Sequence, residues 1–230
     1  MSKSKGPAKR SAGDFVHSTV KGALGAIPCA GPLAAELFQL VIAPPLERRR
    51  AEWMEDIAKR LKKLEEEKRI SYEELGSNDQ FVDAILKTTQ IALRSSQKEK
   101  LEALKNALVN VALGNFTDQD TMHTFLNFID TFSVWHIRIL KLYNDPTRWF
   151  EESGRAFPNY FGGLETIMEE AYPDLRGKRN FYDIVWRELS QNGLLTGASL
   201  HTMMTGQGLS QRHTTDLGQQ FLKFIMTEAL

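Results

Sequence analysis

The sequence predicts a mainly α-helical protein, in which an N-terminal helical bundle is followed by a smaller C-terminal unit that contains a β-hairpin. Three observations lead to this fold class. Apolar residues recur at helical spacing through most of the chain, and signals for the start of a helix recur between residues 77 and 120. Near the C-terminus, a glycine-rich turn separates two short candidate strands.

The composition narrows the classes of function. Charged residues make up 25% of the chain and hydrophobic residues 42%, which is typical of a globular protein. Lys and Arg total 29 and Asp and Glu also total 29, so a strongly basic polyanion-binding protein is excluded as a description of the whole chain. The single cysteine, Cys29, excludes an internal disulfide framework and a cysteine-based zinc site.

Residues 1–13 predict a disordered basic arm, because they contain four basic residues, no acidic residue and several small or helix-breaking ones. A signal peptide would continue into an apolar stretch with a small-residue cleavage site, whereas residues 12–17 are polar and mixed. We therefore expect a cytoplasmic protein.

Residues 22–45 form an apolar segment whose only charge is Glu36. Prolines divide it, and its longest proline-free piece, residues 33–43, would reach only about 16 Å as a helix, roughly half of a bilayer's hydrocarbon core. This favours a buried helical hairpin with its turn at Gly31 and Pro32. The alternative is a hairpin that inserts into a membrane. The side chains that would contact the membrane or a partner are Leu33, Leu37, Phe38, Leu40, Val41 and Ile42.

The helical domain continues to residue 160. Residues 46–75 carry nine basic and nine acidic residues, and one apolar stripe at helical spacing runs through Trp53, Ile57, Leu61 and Leu64. Capping boxes at 77–80 and 96–99, and a further helix start at 117–120, predict the next three helices. The third helix runs through residue 139 and is aromatic on more than one side, so we expect it to be central and buried. We expect helical faces in the aromatic region 121–150 to support self-association.

The C-terminal unit covers residues 161–230. Helices are predicted at Leu164–Ala171 and Arg179–Gln191, strands at 199–204 and 209–214 around a turn at 205–208, and a final helix capped by Thr215. With Asn192-Gly193-Leu194-Leu195 after the second helix and Thr214-Thr215-Asp216-Leu217-Gly218 before the last, this unit resembles a bacterial winged-helix domain. The upstream helical part resembles uncharacterised bacterial all-helical proteins.

The winged-helix resemblance implies that the second helix reads DNA in the major groove. The candidate nucleic-acid-binding residues are Lys178, Arg179, Arg187 and Arg212. However, residues 163–230 contain six basic and eight acidic residues, a net charge of −2, which disfavours binding to phosphates. A winged helix that docks proteins fits this charge better.

The sequence contains no catalytic or metal-binding motif. A Walker loop, a dinucleotide-binding glycine pattern and a nucleophile elbow are all absent, and the five histidines lack metal-ligand spacing. We therefore expect no enzyme, no cofactor, no metal and no small-molecule substrate. The expected function is a non-catalytic interaction or regulatory protein that docks a protein partner or another copy. The alternatives are a DNA-binding regulator and a membrane-active protein that acts through residues 22–45.

Overall fold

The described part of the chain, in a computed structural model, covers residues 38–116, 118–158, 161–197 and 199–226. It begins with a π-helical turn, Phe38–Ile42, and a short 3₁₀ turn occurs at Pro173–Leu175. The α-helices within these ranges are α1 (Ala43–Glu66), α2 (Tyr72–Ser77), α3 (Asp79–Arg94), α4 (Lys98–Ala112), α5 (Gln119–Thr131), α6 (Val134–Asn144), α7 (Pro146–Glu152), α8 (Leu164–Ala171), α9 (Arg179–Gln191), α10 (Gly206–Ser210) and α11 (Asp216–Ile225). The prediction of a mainly α-helical protein is confirmed.

Local capping explains several helix boundaries. Asp145 accepts a hydrogen bond from the Arg148 N–H ahead of Pro146, and Thr215 accepts one from Gly218, as predicted for α7 and α11. Two other caps lie one residue beyond the predicted start. Asn78 rather than Ser77 begins α3, and Asp118 rather than residue 117 begins α5, because these side chains accept the N–H groups of the first turn.

The long helix predicted from residue 117 through residue 139 is in fact two helices, α5 and α6. Ser133 is the N-cap of α6: its side chain accepts from the backbone N–H of His136, while the His136 ring accepts from the Ser133 N–H at 3.1 Å. This reciprocal cap satisfies two backbone N–H groups at the start of α6. The chain therefore begins a new helix at this position, although the apolar pattern of the sequence continues through it.

The β-hairpin predicted at 199–214 is not found among the described residues. Gly206–Ser210 is instead the short helix α10, because Thr205 caps it by accepting from the Gly208 N–H at 3.2 Å. The pairing that does occur is limited to two isolated antiparallel bridges, Gly162 with Met204 and Leu195 with Thr214.

The chain divides into two compact units between Glu55 and Asp56. In the unit that begins at Asp56, α4 packs against α3, α5 and α11, and α6 packs against α7, α8, α9 and α11. The domain boundary placed at residue 160 stays a prediction, although helices from both sides of it pack together within this unit. Among the helices of the described ranges, none combines the length and apolar character needed to cross a bilayer.

Aromatic rings form much of the core. Phe125 is fully buried and lies edge-to-face against Phe221, with ring centroids 5.4 Å apart, and Phe116 contacts Phe224 at 4.9 Å. Tyr143 is also fully buried, and its hydroxyl donates to the Leu164 carbonyl of α8. The expectation of buried helices in this region is therefore confirmed. These core rings are consequently not free to form an interface with another molecule.

The apolar stripe predicted on α1 is buried in the structure. Trp53, Ile57 and Leu64 are all buried, and Leu61 is half-buried. Most of the charged side chains of α1 are exposed. Asp56 is half-buried and accepts a hydrogen bond from the Lys105 ammonium of α4 at 2.5 Å, which holds the pKa of the Asp56 carboxyl below its usual value.

Candidate interaction surfaces

The C-terminal end of the apolar segment is exposed. Leu40 is 69% exposed, and Val41 and Ile42 are exposed beside it in the π-helical turn. These three side chains do not take part in a buried core, in contrast to the preferred interpretation of residues 22–45. Leu33, Leu37 and the side chain of Phe38 lie outside the described residues, as does the predicted turn at residues 31–32.

The basic side chains of the candidate DNA-reading helix do not converge. Lys178, Arg179 and Arg187 are all exposed. Arg179 lies 3.7 Å from the Asp183 carboxylate of its own helix. Arg187 follows Arg179 by eight residues, so the two side chains project about 80° apart around the helix axis. Arg212 belongs to a different segment and donates to the Gln219 side chain of α11 at 2.9 Å. The structure therefore offers scattered cations with acidic neighbours on this side.

Two large apolar side chains are strongly exposed near one bridge. Gly162 and Met204 exchange both backbone hydrogen bonds, at 3.3 and 2.8 Å, and the residues before them in sequence are Phe161 and Met203. Phe161 is 75% exposed and Met203 is 70% exposed. Chain geometry places their Cα atoms at most about 13 Å apart. Phe181 and Ile184 add exposed apolar surface on α9.

His201 connects the segment that carries Met203 to two helices. Its Nε2 lies 2.8 Å from the Asp183 carboxylate of α9, and its Nδ1 lies 3.6 Å from the Glu165 carboxylate of α8. One Glu165 oxygen is buried without a hydrogen-bond partner, and it is the oxygen that faces His201 Nδ1. Glu165, Asp183 and His201 are each separated by 18 positions in the sequence and match no known motif. No group of three residues that could hold a metal ion occurs within the described residues.

Tyr182 borders the same region. Its hydroxyl donates to the Glu169 carboxylate of α8 at 2.9 Å, and burial together with this acidic neighbour raises the pKa of Tyr182 to about 12. The phenol is therefore protonated at neutral pH and serves as a donor between α8 and α9.

Ser133, His136 and Glu188 form a chain of contacts that superficially resembles a nucleophile, a base and an acid. The Ser133 hydroxyl lies 2.9 Å from His136 Nδ1, and Nε2 lies 2.7 Å from the Glu188 carboxylate. However, Nδ1 already accepts the Ser133 backbone N–H, so the ring is committed to the cap of α6. Burial lowers the pKa of His136, which keeps the imidazole neutral. The arrangement joins α6 to α9.

No protein-family model, curated protein or solved structure matches this chain. Sequence reasoning identified the basic residues and the apolar segment, but it missed the exposed pair Phe161 and Met203. Neither residue belongs to an apolar run or a helical stripe, so no sequence signal marked them.

Proposed function

We propose that the protein is a non-catalytic interaction or regulatory module that docks another protein through a defined apolar face, with a second copy of this chain as the partner. This docking face consists of Phe161 and Met203, which flank the bridge between Gly162 and Met204. The main evidence for this proposal is the exposure of the Phe161 and Met203 side chains, at 75% and 70%. Aromatic residues and methionine are enriched at protein interfaces because they bury much apolar area.

The surroundings of the docking face support an interface. His201, two residues before Met203, contacts the carboxylates of Asp183 and Glu165, which suits a polar rim beside the docking face. The whole chain has a net charge of zero, so two copies approach without long-range repulsion. The bridge at Gly162 and the contact between His201 and Asp183 anchor the segments that carry Phe161 and Met203, which lowers the entropy lost on binding.

Sedimentation velocity of the full chain at micromolar concentration tests this proposal. We expect the unaltered protein to sediment as a dimer and the double variant Phe161→Ser, Met203→Ser to sediment as a monomer. Leu86→Ser is the matched control, because Leu86 is exposed on α3 and does not belong to the docking face. A strictly monomeric unaltered protein, or dissociation by the Leu86 variant, would contradict the proposal.

DNA binding is a second candidate, and the winged-helix resemblance is part of it. Helices α8, α9 and α11, with the bridge from Leu195 to Thr214 ahead of α11, support this fold proposal. The exposure of Lys178, Arg179 and Arg187 favours contact with phosphates. A gel-shift titration against genomic fragments at low and moderate salt tests it. Retardation that weakens steeply with salt and is lost in Arg187→Glu would support it, and no retardation at low salt would exclude it.

Membrane activity is favoured by one further observation, the exposure of Leu40, Val41 and Ile42. The preceding arm is basic, and each cation near an anionic surface contributes about 1 kcal/mol. A dye-release assay with anionic liposomes tests this candidate. Leakage that Leu40→Glu abolishes in a folded variant would support it, whereas intact liposomes would leave the docking function in a cytoplasmic protein as our proposal.

A further inference from the structure

A cleft of about 680 Å³ lies where α4, α6, α7 and α11 approach one another in the unit that begins at Asp56. Its residues come from the end of α4 and the loop after it, from Asn144 and Arg148, and from one side of α11, with Arg69 at its edge. Pockets that hold small molecules typically enclose about 300–1,000 Å³, so the cleft has the size of a ligand site. Neither the docking face nor the basic residues of α9 border it.

The charged side chains that line this cleft all carry positive charge. They are Arg69, Arg148 and Lys223, and no acidic residue is among the described residues that line it. Arg69 lies 3.8 Å from Glu67 and Arg148 lies 2.7 Å from Glu152, but both pairs are exposed to solvent. Exposed pairs contribute little free energy, so a more highly charged anion can replace these carboxylates. Lys223 has no acidic partner within the described ranges.

One neutral side chain of the cleft, Asn144, offers donors to a ligand. Asn144 uses its Oδ1 to accept from the Thr214 hydroxyl at 2.9 Å, which leaves its amide N–H groups for a ligand. The Gln219 amide is engaged at both ends, because its Oε1 accepts from the Arg212 guanidinium and its Nε2 donates to the Thr215 carbonyl and the Asp216 carboxylate. Because the Asn144 amide adds donors to three cations, and no acidic side chain is among the described residues that line the cleft, the complementary ligand is rich in acceptors and negatively charged.

Part of the lining of the cleft is apolar. Leu113, Phe116, Leu222 and Met226 contribute it, and Phe116 is held in place by ring contacts with Phe125 and Phe224. A bare inorganic anion would leave this surface uncovered. A molecule with both a phosphate group and a less polar part covers the cations and the apolar side together.

We propose that this cleft binds a phosphate-bearing small molecule of nucleotide size. The phosphates lie against Arg69, Arg148 and Lys223, where the guanidinium groups suit bidentate contact with phosphate oxygens. The remainder of the ligand packs against the side that contains Phe116 and Leu222. The site is independent of the docking face, so its test is independent of the test of self-association.

Calorimetric titration of the full chain at low ionic strength, with ATP as the probe, tests the site. We expect ATP to bind, tripolyphosphate to compete with it, and adenosine alone to show no binding. Lys223→Glu and the milder Lys223→Gln should weaken ATP binding, the former by at least about tenfold, because a hydrogen bond to a charged group is lost. Lys98→Glu is the matched control, since Lys98 is exposed at the start of α4 and does not line the cleft.

Several outcomes would overturn the proposal. One is the absence of ATP binding up to about 1 mM. Another is adenosine binding as tightly as ATP, because phosphate would then contribute nothing. An equal loss in Lys98→Glu would indicate unspecific attraction by net charge. Short duplex DNA that displaces ATP and binds more tightly would assign the cleft to a nucleic-acid surface instead.

Discussion

Replacing Asn110 should destabilise the fold strongly, because this side chain fastens the C-terminal end of α11 to α4. Asn110 is only 6% exposed. Its Nδ2 lies 2.9 Å from the Met226 carbonyl, 3.0 Å from the Phe224 carbonyl and 3.1 Å from the Lys223 carbonyl. Its Oδ1 accepts from the Asn115 side chain at 3.1 Å. The last carbonyls of α11 have no partner within the helix, so Asn110 supplies what a C-cap otherwise would.

The geometry gives the size of the effect. The Asn110 amide has two N–H groups for its three carbonyl contacts, so we count the loss in Asn110→Ala as two hydrogen bonds. Each bond contributes about 1 kcal/mol net, and a buried acceptor that is left unsatisfied costs about 1–3 kcal/mol. We therefore expect a loss of about 2–4 kcal/mol in the free energy of unfolding. Asn110→Asp keeps the shape but turns an acceptor toward the carbonyls, so it should be at least as damaging.

Urea unfolding followed by circular dichroism measures this loss. Asn115→Ala is the matched control, because Asn115 is exposed and its amide makes one bond to Asn110, so it should cost less than about 1 kcal/mol. Hydrogen exchange should also quicken at the amides of α11 in the Asn110 variant. A loss below about 1 kcal/mol for Asn110→Ala, or equal losses for the two alanine variants, would refute this reasoning.

Two further predictions follow from close packing and from burial of an imidazole. A Cβ atom at Gly218 would lie 2.2 Å from the Leu194 carbonyl oxygen, so we expect Gly218→Ala to lower the free energy of unfolding by about 1–3 kcal/mol. A Cβ atom at Gly76 would meet nothing within 4 Å, so Gly76→Ala is the control and should leave the stability unchanged. Thermal unfolding measures both variants. The pKa of His136 in the folded protein lies below its ordinary value of 6.5 because the ring is buried. As the pH falls, the imidazole is therefore protonated in the unfolded chain before it is protonated in the folded protein. The free energy of unfolding consequently decreases as the pH drops below 6.5. Between pH 7 and 5.5, the unaltered protein should lose more stability than His136→Gln, and equal losses would contradict the assignment.

The sequence by itself determined the helical class and several helix ends, because these depend on residues that are neighbours in the chain. Asp145 with Pro146 begins α7 and Thr215 begins α11, since an N-cap reaches only the next turn. Gly193 follows α9 with a φ of 72°, a conformation that glycine adopts without strain. The stripe on α1 was likewise readable from spacing alone.

Other features were decided by tertiary structure. Residues 206–210 suit a turn or a short helix equally well by composition, and α10, which packs against α7, is the form that occurs. The break at Ser133 is local, yet His136 also reaches Glu188 on α9, a residue 52 positions away. Such choices depend on partners that are distant in sequence.

The candidate sites depend even more on tertiary structure than the helices do. The exposure of Phe161 and Met203 depends on which segments the fold leaves uncovered. The cleft gathers Arg69, Arg148 and Lys223 from positions more than 70 residues apart, and no spacing rule connects them. The positively charged lining of this cleft forms because the packing of helices brings these distant side chains together. Electrostatic and apolar complementarity depend on distance in space and not on distance along the chain.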